Sequence, residues 1–163
     1  MDNKKLWYRN PAKEWVEALP VGNGRLGAMV FGGAPVERLQ LNEDTLWSGE
    51  PKKPDECNNP GARGILPLVR EALFDADYRL ADELCKKMQG PFNQNYLPLA
   101  DLFIELDHGP EVDGYYRDLD LDSAVASTRY KIGGIQYERR VFASFPDQVI
   151  VVRLDCGRPG RLS

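Results

Sequence analysis

Residues 124–143 read Ala-Val-Ala-Ser-Thr-Arg-Tyr-Lys-Ile-Gly-Gly-Ile-Gln-Tyr-Glu-Arg-Arg-Val-Phe-Ala, and this stretch decides the fold class. Two runs rich in β-branched and aromatic residues flank Gly133-Gly134. A two-residue loop of that kind supplies the positive φ angles of a tight hairpin turn, so the runs are expected to pair as antiparallel neighbours. Further strand-like runs lie on either side, at residues 99–107, 115–121 and 148–156, each bounded by turn-forming residues. Sequential antiparallel strands at this spacing predict a β-sandwich or barrel. Val149-Ile150-Val151-Val152 is apolar on both faces, which predicts a central position for the last strand. Beyond it, Gly157-Arg158-Pro159-Gly160 reads as a turn and Arg161-Leu162-Ser163 as the start of another strand, so the sandwich is expected to continue past residue 163.

The first half carries the same signals more sparsely. Gly22-Asn23-Gly24 is a turn, residues 26–33 are a short apolar run bounded by glycines, and residues 36–42 alternate, with Leu39 and Leu41 on one face and Arg38 and Gln40 on the other. Residues 7–20 read as an extended arm with a short helical turn, its aromatics docked on the body. Lys, Pro, Asp, Glu and Asn crowd residues 51–60, which marks an exposed loop. Two short helices follow. The first, over residues 62–74, sets Leu66, Val69 and Leu73 at helical spacing, and Pro67 places its effective start near Gly64 or later. The second carries Tyr78, Ala81, Leu84, Cys85 and Met88 as a core-facing stripe and stops at Gly90-Pro91. The fold class read from the sequence is therefore mainly β: an antiparallel β-sandwich with two short inserted α-helices.

The chain has 163 residues, of which 42% are hydrophobic and 28% charged, which is ordinary for a folded globular domain. A net charge of −4 with scattered basic residues offers nothing to a phosphate backbone, so nucleic acid is not an expected partner. No apolar run approaches the length of a membrane span, and the start moves into mixed sequence without the apolar core of a signal peptide. A cytoplasmic location is the expectation, with secretion following only if a signal peptide has been removed. Cys57, Cys85 and Cys156 are an odd number at wide spacing, fitting neither a disulfide framework nor a metal site. His108 is the single histidine, read as a loop residue between Asp107 and Gly109. No metal and no cofactor is expected.

The run Trp-Val-Glu-Ala-Leu-Pro-Val-Gly-Asn-Gly-Arg-Leu-Gly-Ala-Met-Val-Phe-Gly-Gly over residues 15–33, followed by Glu-Arg-Leu-Gln-Leu-Asn-Glu-Asp-Thr-Leu-Trp-Ser-Gly over residues 37–49, resembles the N-terminal signature of glycoside hydrolase family 95, the α-L-fucosidase type. Three further blocks agree in order: Asn59-Pro60-Gly61-Ala62 leading into Leu66-Pro67-Leu68-Val69-Arg70, then Tyr96-Leu97-Pro98-Leu99, then residues 141–154. Two positions depart from the family pattern, Ala100 in place of glycine and Arg117-Asp118 in place of two arginines. The resemblance implies that residues 1–163 are part of an N-terminal β-super-sandwich, and that an (α/α)6 barrel absent from this chain carries the active site. It also implies an inverting exo-hydrolase that removes terminal α-1,2-linked L-fucose from glycans, with some relatives preferring L-galactosides. The partners implied are a fucosylated glycan, met by the full-length enzyme, and the barrel of the same polypeptide. A free-standing carbohydrate-binding module and a purely structural interaction domain are the rival readings.

An inverting glycosidase needs an acid and a base about 6.5–9.5 Å apart on opposite sides of the scissile bond. The one carboxylate pair in a motif, Glu43-Asp44, consists of adjacent residues whose side chains diverge, so no catalytic residue is expected here. Asp44 or Asn42 is read as bonding the backbone of its own loop. Asn23, Arg25, Asn42, Glu43, Asp44 and Trp47 form a candidate group for a domain interface or for substrate contact, with Arg25 placed to pair with Glu43 or Asp44. Trp47 offers a flat face to a sugar or to an interdomain pocket. Tyr115, Tyr116 and Tyr137 are read as packing the core, and Asp118, Asp120 and Asp122 as a solvated acidic face.

Overall fold

The computed structural model describes residues 4–50, 53, 58–91 and 94–162. The expected exposed loop at residues 51–60, with Cys57, falls mostly outside the described residues. The chain divides into two compact units, Met1–Leu46 with Pro98–Ser163, and Trp47–Leu97.

The first unit is the β-sandwich. Its strands are β1 (Lys5–Tyr8), β2 (Leu19–Gly22), β3 (Leu26–Val30), β4 (Val36–Glu43), β5 (Ala100–Glu105), β6 (Asp113–Asp120), β7 (Val125–Ile132), β8 (Ile135–Ser144) and β9 (Val149–Cys156). They form a five-stranded sheet in the order β1-β6-β7-β8-β9 and a four-stranded sheet in the order β2-β3-β4-β5, antiparallel throughout. The Gly133-Gly134 hairpin forms as its sequence requires: Ile132 pairs with Ile135, and the two glycines take φ of 55° and 78°. Alternate residues of both sheets meet in one core, Leu19, Val21, Ala28, Val30 and Leu39 from the smaller sheet and Leu119, Ala126 and Val141 from the larger.

Several expectations require correction. Residues 5–8 and 19–22 are strands and not an arm; only the 3-10 turn Trp15–Glu17 between them matches that reading. Short strands of this kind are defined by their partners, β6 and β3, more than by their own residues. Of the arm's aromatics, Trp7 stacks on Tyr116 and Tyr8 lies under Arg117, but Trp15 remains 59% exposed. β9 is an edge strand among the described residues, not a central one. Asp118 is not solvated; it is 1% exposed and bonded to Lys5 Nζ at 2.5 Å and Arg129 Nη1 at 2.9 Å. Tyr116 projects from the outer face, because its neighbour Tyr115 takes the inner one, with its hydroxyl donating to the Gly32 carbonyl at 2.5 Å.

The second unit holds α1 (Ala62–Phe74) and α2 (Tyr78–Met88). Helix α1 starts at Ala62, before the point that Pro67 suggested, and carries the proline inside. In α2 the Asp77 side chain accepts from the Leu80 amide, an N-cap. The expected stripe on α2 is only partly sheltered: Ala81 is buried, whereas Tyr78 is 70% exposed and Cys85 is exposed.

Candidate functional site

The turn between β2 and β3 is built by Asn23. Its side-chain oxygen accepts from the amides of Arg25 (3.1 Å) and Leu26 (2.8 Å), and its own amide donates to the Leu26 carbonyl (3.0 Å). Gly24, at φ 94°, supplies the left-handed residue that the turn requires. This leaves the Asn23 side-chain amide free to reach a second loop, where it donates to the Ser144 carbonyl at 2.8 Å. Asn23 thereby ties the β2–β3 turn to the β8–β9 turn.

Arg25 makes the next two links. Its Nε donates to Gln148 Oε1 at 2.9 Å, and its Nη1 lies 3.5 Å from Glu43 Oε1 at the end of β4. The Asp44 amide donates to the Arg25 carbonyl at 3.0 Å. Three connections at one end of the sandwich are thus laced into a single polar platform. Glu43 also closes its own loop, accepting from the Thr45 hydroxyl at 2.7 Å and the Thr45 amide at 2.9 Å. Glu43 thus bonds the backbone of its own loop, the kind of contact the sequence suggested for its neighbours Asp44 and Asn42. The hydroxyl and amide of Thr45, with a smaller contribution from Arg25, hold the Glu43 carboxyl below the usual glutamate range. A carboxyl held in its ionised form is unsuited to donate a proton near neutral pH.

The structure brings Asn23, Arg25, Glu43 and the Asp44 backbone together. Asn42 lies on β4 opposite Gly27 and is exposed. Trp47 belongs to the second unit, where it forms an isolated bridge with Tyr96 and meets that ring edge-on at 5.1 Å. The adjoining Ser48 amide donates to the Asn95 carbonyl at 2.8 Å, while the Ser48 hydroxyl accepts from the Asn95 amide at the same distance. Both aromatic rings keep exposed surface, 49% for Trp47 and 41% for Tyr96.

Sequence reasoning missed Ser144, Gln148 and Thr45, the partners that fix the platform. The placement of Ser144 and Gln148 beside the β2–β3 turn depends on how the sheets stack. It also missed a buried charge cluster at the β3–β4 turn. Glu37, fully buried, pairs with Arg139, 2% exposed, and accepts from the amides of Gly32 (2.7 Å) and Arg38 (3.0 Å). Burial raises the Glu37 carboxyl, and Arg139 with the two amides pulls it back. Arg139 also donates to the Gly33 carbonyl, and buried Arg117 donates to the carbonyls of Asn10 and Glu17, each at 2.7 Å. Nearby, the His108 ring packs on Tyr130 and Tyr137 with Nε2 2.8 Å from the Tyr130 hydroxyl, whose pKa burial pushes up to about 12. Among the described residues no group of His, Cys, Asp and Glu is arranged to hold a metal.

A sequence model of the family described as "Glycosyl hydrolase family 65, N-terminal domain" matches residues 6–163. The chain is 38% identical over 162 residues to alpha-L-fucosidase 2 of Arabidopsis thaliana, an alignment that covers 98% of this chain and 19% of that protein. It is 38% identical over 158 residues to probable alpha-fucosidase A of Aspergillus niger, covering 93% of this chain and 20% of the relative. Probable alpha-fucosidase A of Aspergillus oryzae is 34% identical over 148 residues, covering 85% and 20%. The chain thus spans about a fifth of the length of these relatives.

Proposed function

Because the chain belongs to the family of glycosyl hydrolase 65-type N-terminal domains, we propose that it is the non-catalytic N-terminal β-sandwich of an inverting exo-α-L-fucosidase acting on terminal α-1,2-linked L-fucose of glycans. The names of the relatives and the family 95 resemblance of the sequence point the same way. In this reading the acid and the water-activating group lie on a helical barrel elsewhere in the longer polypeptide, and the platform of Asn23, Arg25, Asn42, Glu43 and Asp44, together with Trp47, supports that barrel.

The observation that carries the reading is the state of Glu43. The Glu43 carboxylate is already committed to Thr45 and Arg25, which favour its ionised form. It acts as a tie between loops and is poorly placed to give up a proton to a glycosidic oxygen. Rigid, self-satisfied polar loops at one end of a sandwich are suited to receiving another domain, since a preorganised surface loses little freedom on contact.

The test is direct. The 163-residue chain incubated with 2′-fucosyllactose is expected to release no fucose, while the protein of the relatives' length releases it with inversion, read by the anomer first seen in NMR. Hydrolysis by the short chain would overturn the non-catalytic assignment. In the long protein, Trp47→Ala is expected to lower stability or turnover, because the half-exposed ring would lose both its contact with Tyr96 and its cover by the barrel. Unchanged melting and kinetics would remove Trp47 from the interface. A carbohydrate-binding module is the second reading, favoured by the exposed Trp47 and Tyr96 rings; glycan binding by the short chain that is lost in Trp47→Ala would select it.

A further inference from the structure

We propose that the Asn23-Gly24 peptide is a one-way modification site: Asn23 loses its side-chain nitrogen as ammonia when the polar platform opens, and the acid that results cannot restore the tie to the β8–β9 turn. The inference goes beyond the functional reading above and does not depend on it.

The chemistry is set by two neighbours in the chain. Asparagine is a thermolabile residue, and Asn23-Gly24 is the only Asn-Gly pair among the 163 residues. With no Cβ on Gly24, its backbone nitrogen can approach the Asn23 side chain closely. Gly24 is exposed, and its amide donates to no acceptor among the described residues. Once water or hydroxide takes the Gly24 amide proton, the nitrogen adds to Cγ of Asn23 and closes a succinimide ring. The Cγ–Nδ2 bond breaks, and the nitrogen takes up a proton and leaves as ammonia. A water molecule then opens the ring at either carbonyl. One opening gives aspartate; the other gives isoaspartate, in which the main chain runs through the former side chain.

The fold holds this reaction back. Ring closure swings the Asn23 side chain onto the Gly24 nitrogen, and that side chain is fastened at both ends. Its Oδ1 accepts from the amides of Arg25 (3.1 Å) and Leu26 (2.8 Å), while its Nδ2 donates to the Ser144 carbonyl at 2.8 Å. Arg25 clamps the same two turns through its Nε bond to Gln148 Oε1 at 2.9 Å. The reaction therefore draws on the open fraction of the platform, as hydrogen exchange does.

The product differs from the asparagine where the two turns meet. In the aspartate the oxygen that replaces Nδ2 has no proton to give, so an acceptor faces the Ser144 carbonyl where a donor stood. The other oxygen keeps the two backbone amides, which suit a negative charge. The β2–β3 turn thus survives in the aspartate while its link to the β8–β9 turn is lost. The isoaspartate, with its lengthened main chain, loses both.

The test follows Asn23 in the 163-residue chain at mildly alkaline pH, native and in urea, by peptide mapping with electron-transfer fragmentation, which tells aspartate from isoaspartate. In urea Asn23 is expected to convert ahead of every other asparagine. In the native chain conversion is expected to run at least about tenfold more slowly, and Gln148→Ala to speed it about threefold or more. A native rate equal to the rate in urea overturns the proposal, as do equal native rates in Gln148→Ala and wild type, or no conversion at Asn23 in urea. Asn23→Asp reads the consequence. It is expected to melt at least about 3 °C below wild type. In its crystal structure at neutral pH the β2–β3 turn is expected to stand unchanged, with the new carboxylate oxygen and the Ser144 carbonyl parted beyond hydrogen-bonding distance. Wild-type melting, or those two oxygens still in contact, would show that the change can be reversed in effect and would overturn the one-way character.

Discussion

The β3–β4 turn and the β9–β5 edge of the sandwich are finished in opposite ways. At the turn, buried Glu37, Arg139 and Arg117 fasten backbone carbonyls and amides from the Gly32-Gly33 loop and from residues 10 and 17 onto the sheet. At the edge, apolar strands stop in the open, with Leu102 and Val149 each 43% exposed. Every polar group placed inside the first region needs a named partner there, since an unpaired buried charge costs several kcal/mol. The apolar groups of the second need only cover. The difference teaches that the turn is held by a buried ion pair and by side-chain bonds to backbone groups, while the edge keeps apolar surface in the open.

The largest effect that sharpens this contrast comes from Glu37→Ala. It leaves Arg139 buried without its carboxylate and strands the Gly32 and Arg38 amides, so a loss of about 3–5 kcal/mol is expected in urea unfolding. A loss under about 1 kcal/mol would show that the turn is not fastened by this pair. Gly32→Ala comes next. Gly32 sits at φ 77°, and a Cβ there would stand 2.6 Å from the Tyr115 hydroxyl oxygen and 2.8 Å from Arg117 Cδ. Strain and displacement together are expected to cost roughly 2–3 kcal/mol, with the Tyr115 hydroxyl bond to the Gly32 carbonyl lost in the variant's structure.

Asn23→Ala removes three hydrogen bonds at the opposite loops and is expected to cost about 1–2 kcal/mol, with a further fall in turnover of the long protein if the platform supports the barrel. Leu102→Ser tests the open edge. Within the 163-residue chain it is expected to change stability by less than about 1 kcal/mol, because the side chain is already half in water. A loss above about 2 kcal/mol would show that this edge is packed like the core and would erase the contrast.

The smallest effect is a pH dependence on the outer face of the larger sheet. Arg140 and then Arg129 hold the Glu138 carboxyl below its usual range. A carboxyl whose pKa is depressed on folding contributes stability that is fully present above the unfolded value, about 4.3, and is lost as the pH falls through the lowered folded value. Melting of wild type is therefore expected to fall more steeply below pH 4 than melting of Glu138→Gln.

Much of the architecture was legible because it is written in local patterns. Strict alternation in residues 36–42 and 125–143, and paired glycines at 133 and 134, fix strands and a hairpin whatever surrounds them. β1 and β2 were not legible, since four-residue strands carry too few alternations to be told from an arm. The platform was half legible: Asn23, Arg25 and Glu43 stood out as polar residues beside glycines, while Gln148 and Ser144, more than a hundred residues away, did not.

By itself the sequence determined the β-rich class, the helices and the family, because period, turn chemistry and ordered motifs are local properties of the chain. Only the tertiary structure decided which charges are buried and which strand is an edge. Asp118 and Val149 look alike solvated and central until the neighbours are placed, for burial and pairing belong to the space around a residue and not to the residue.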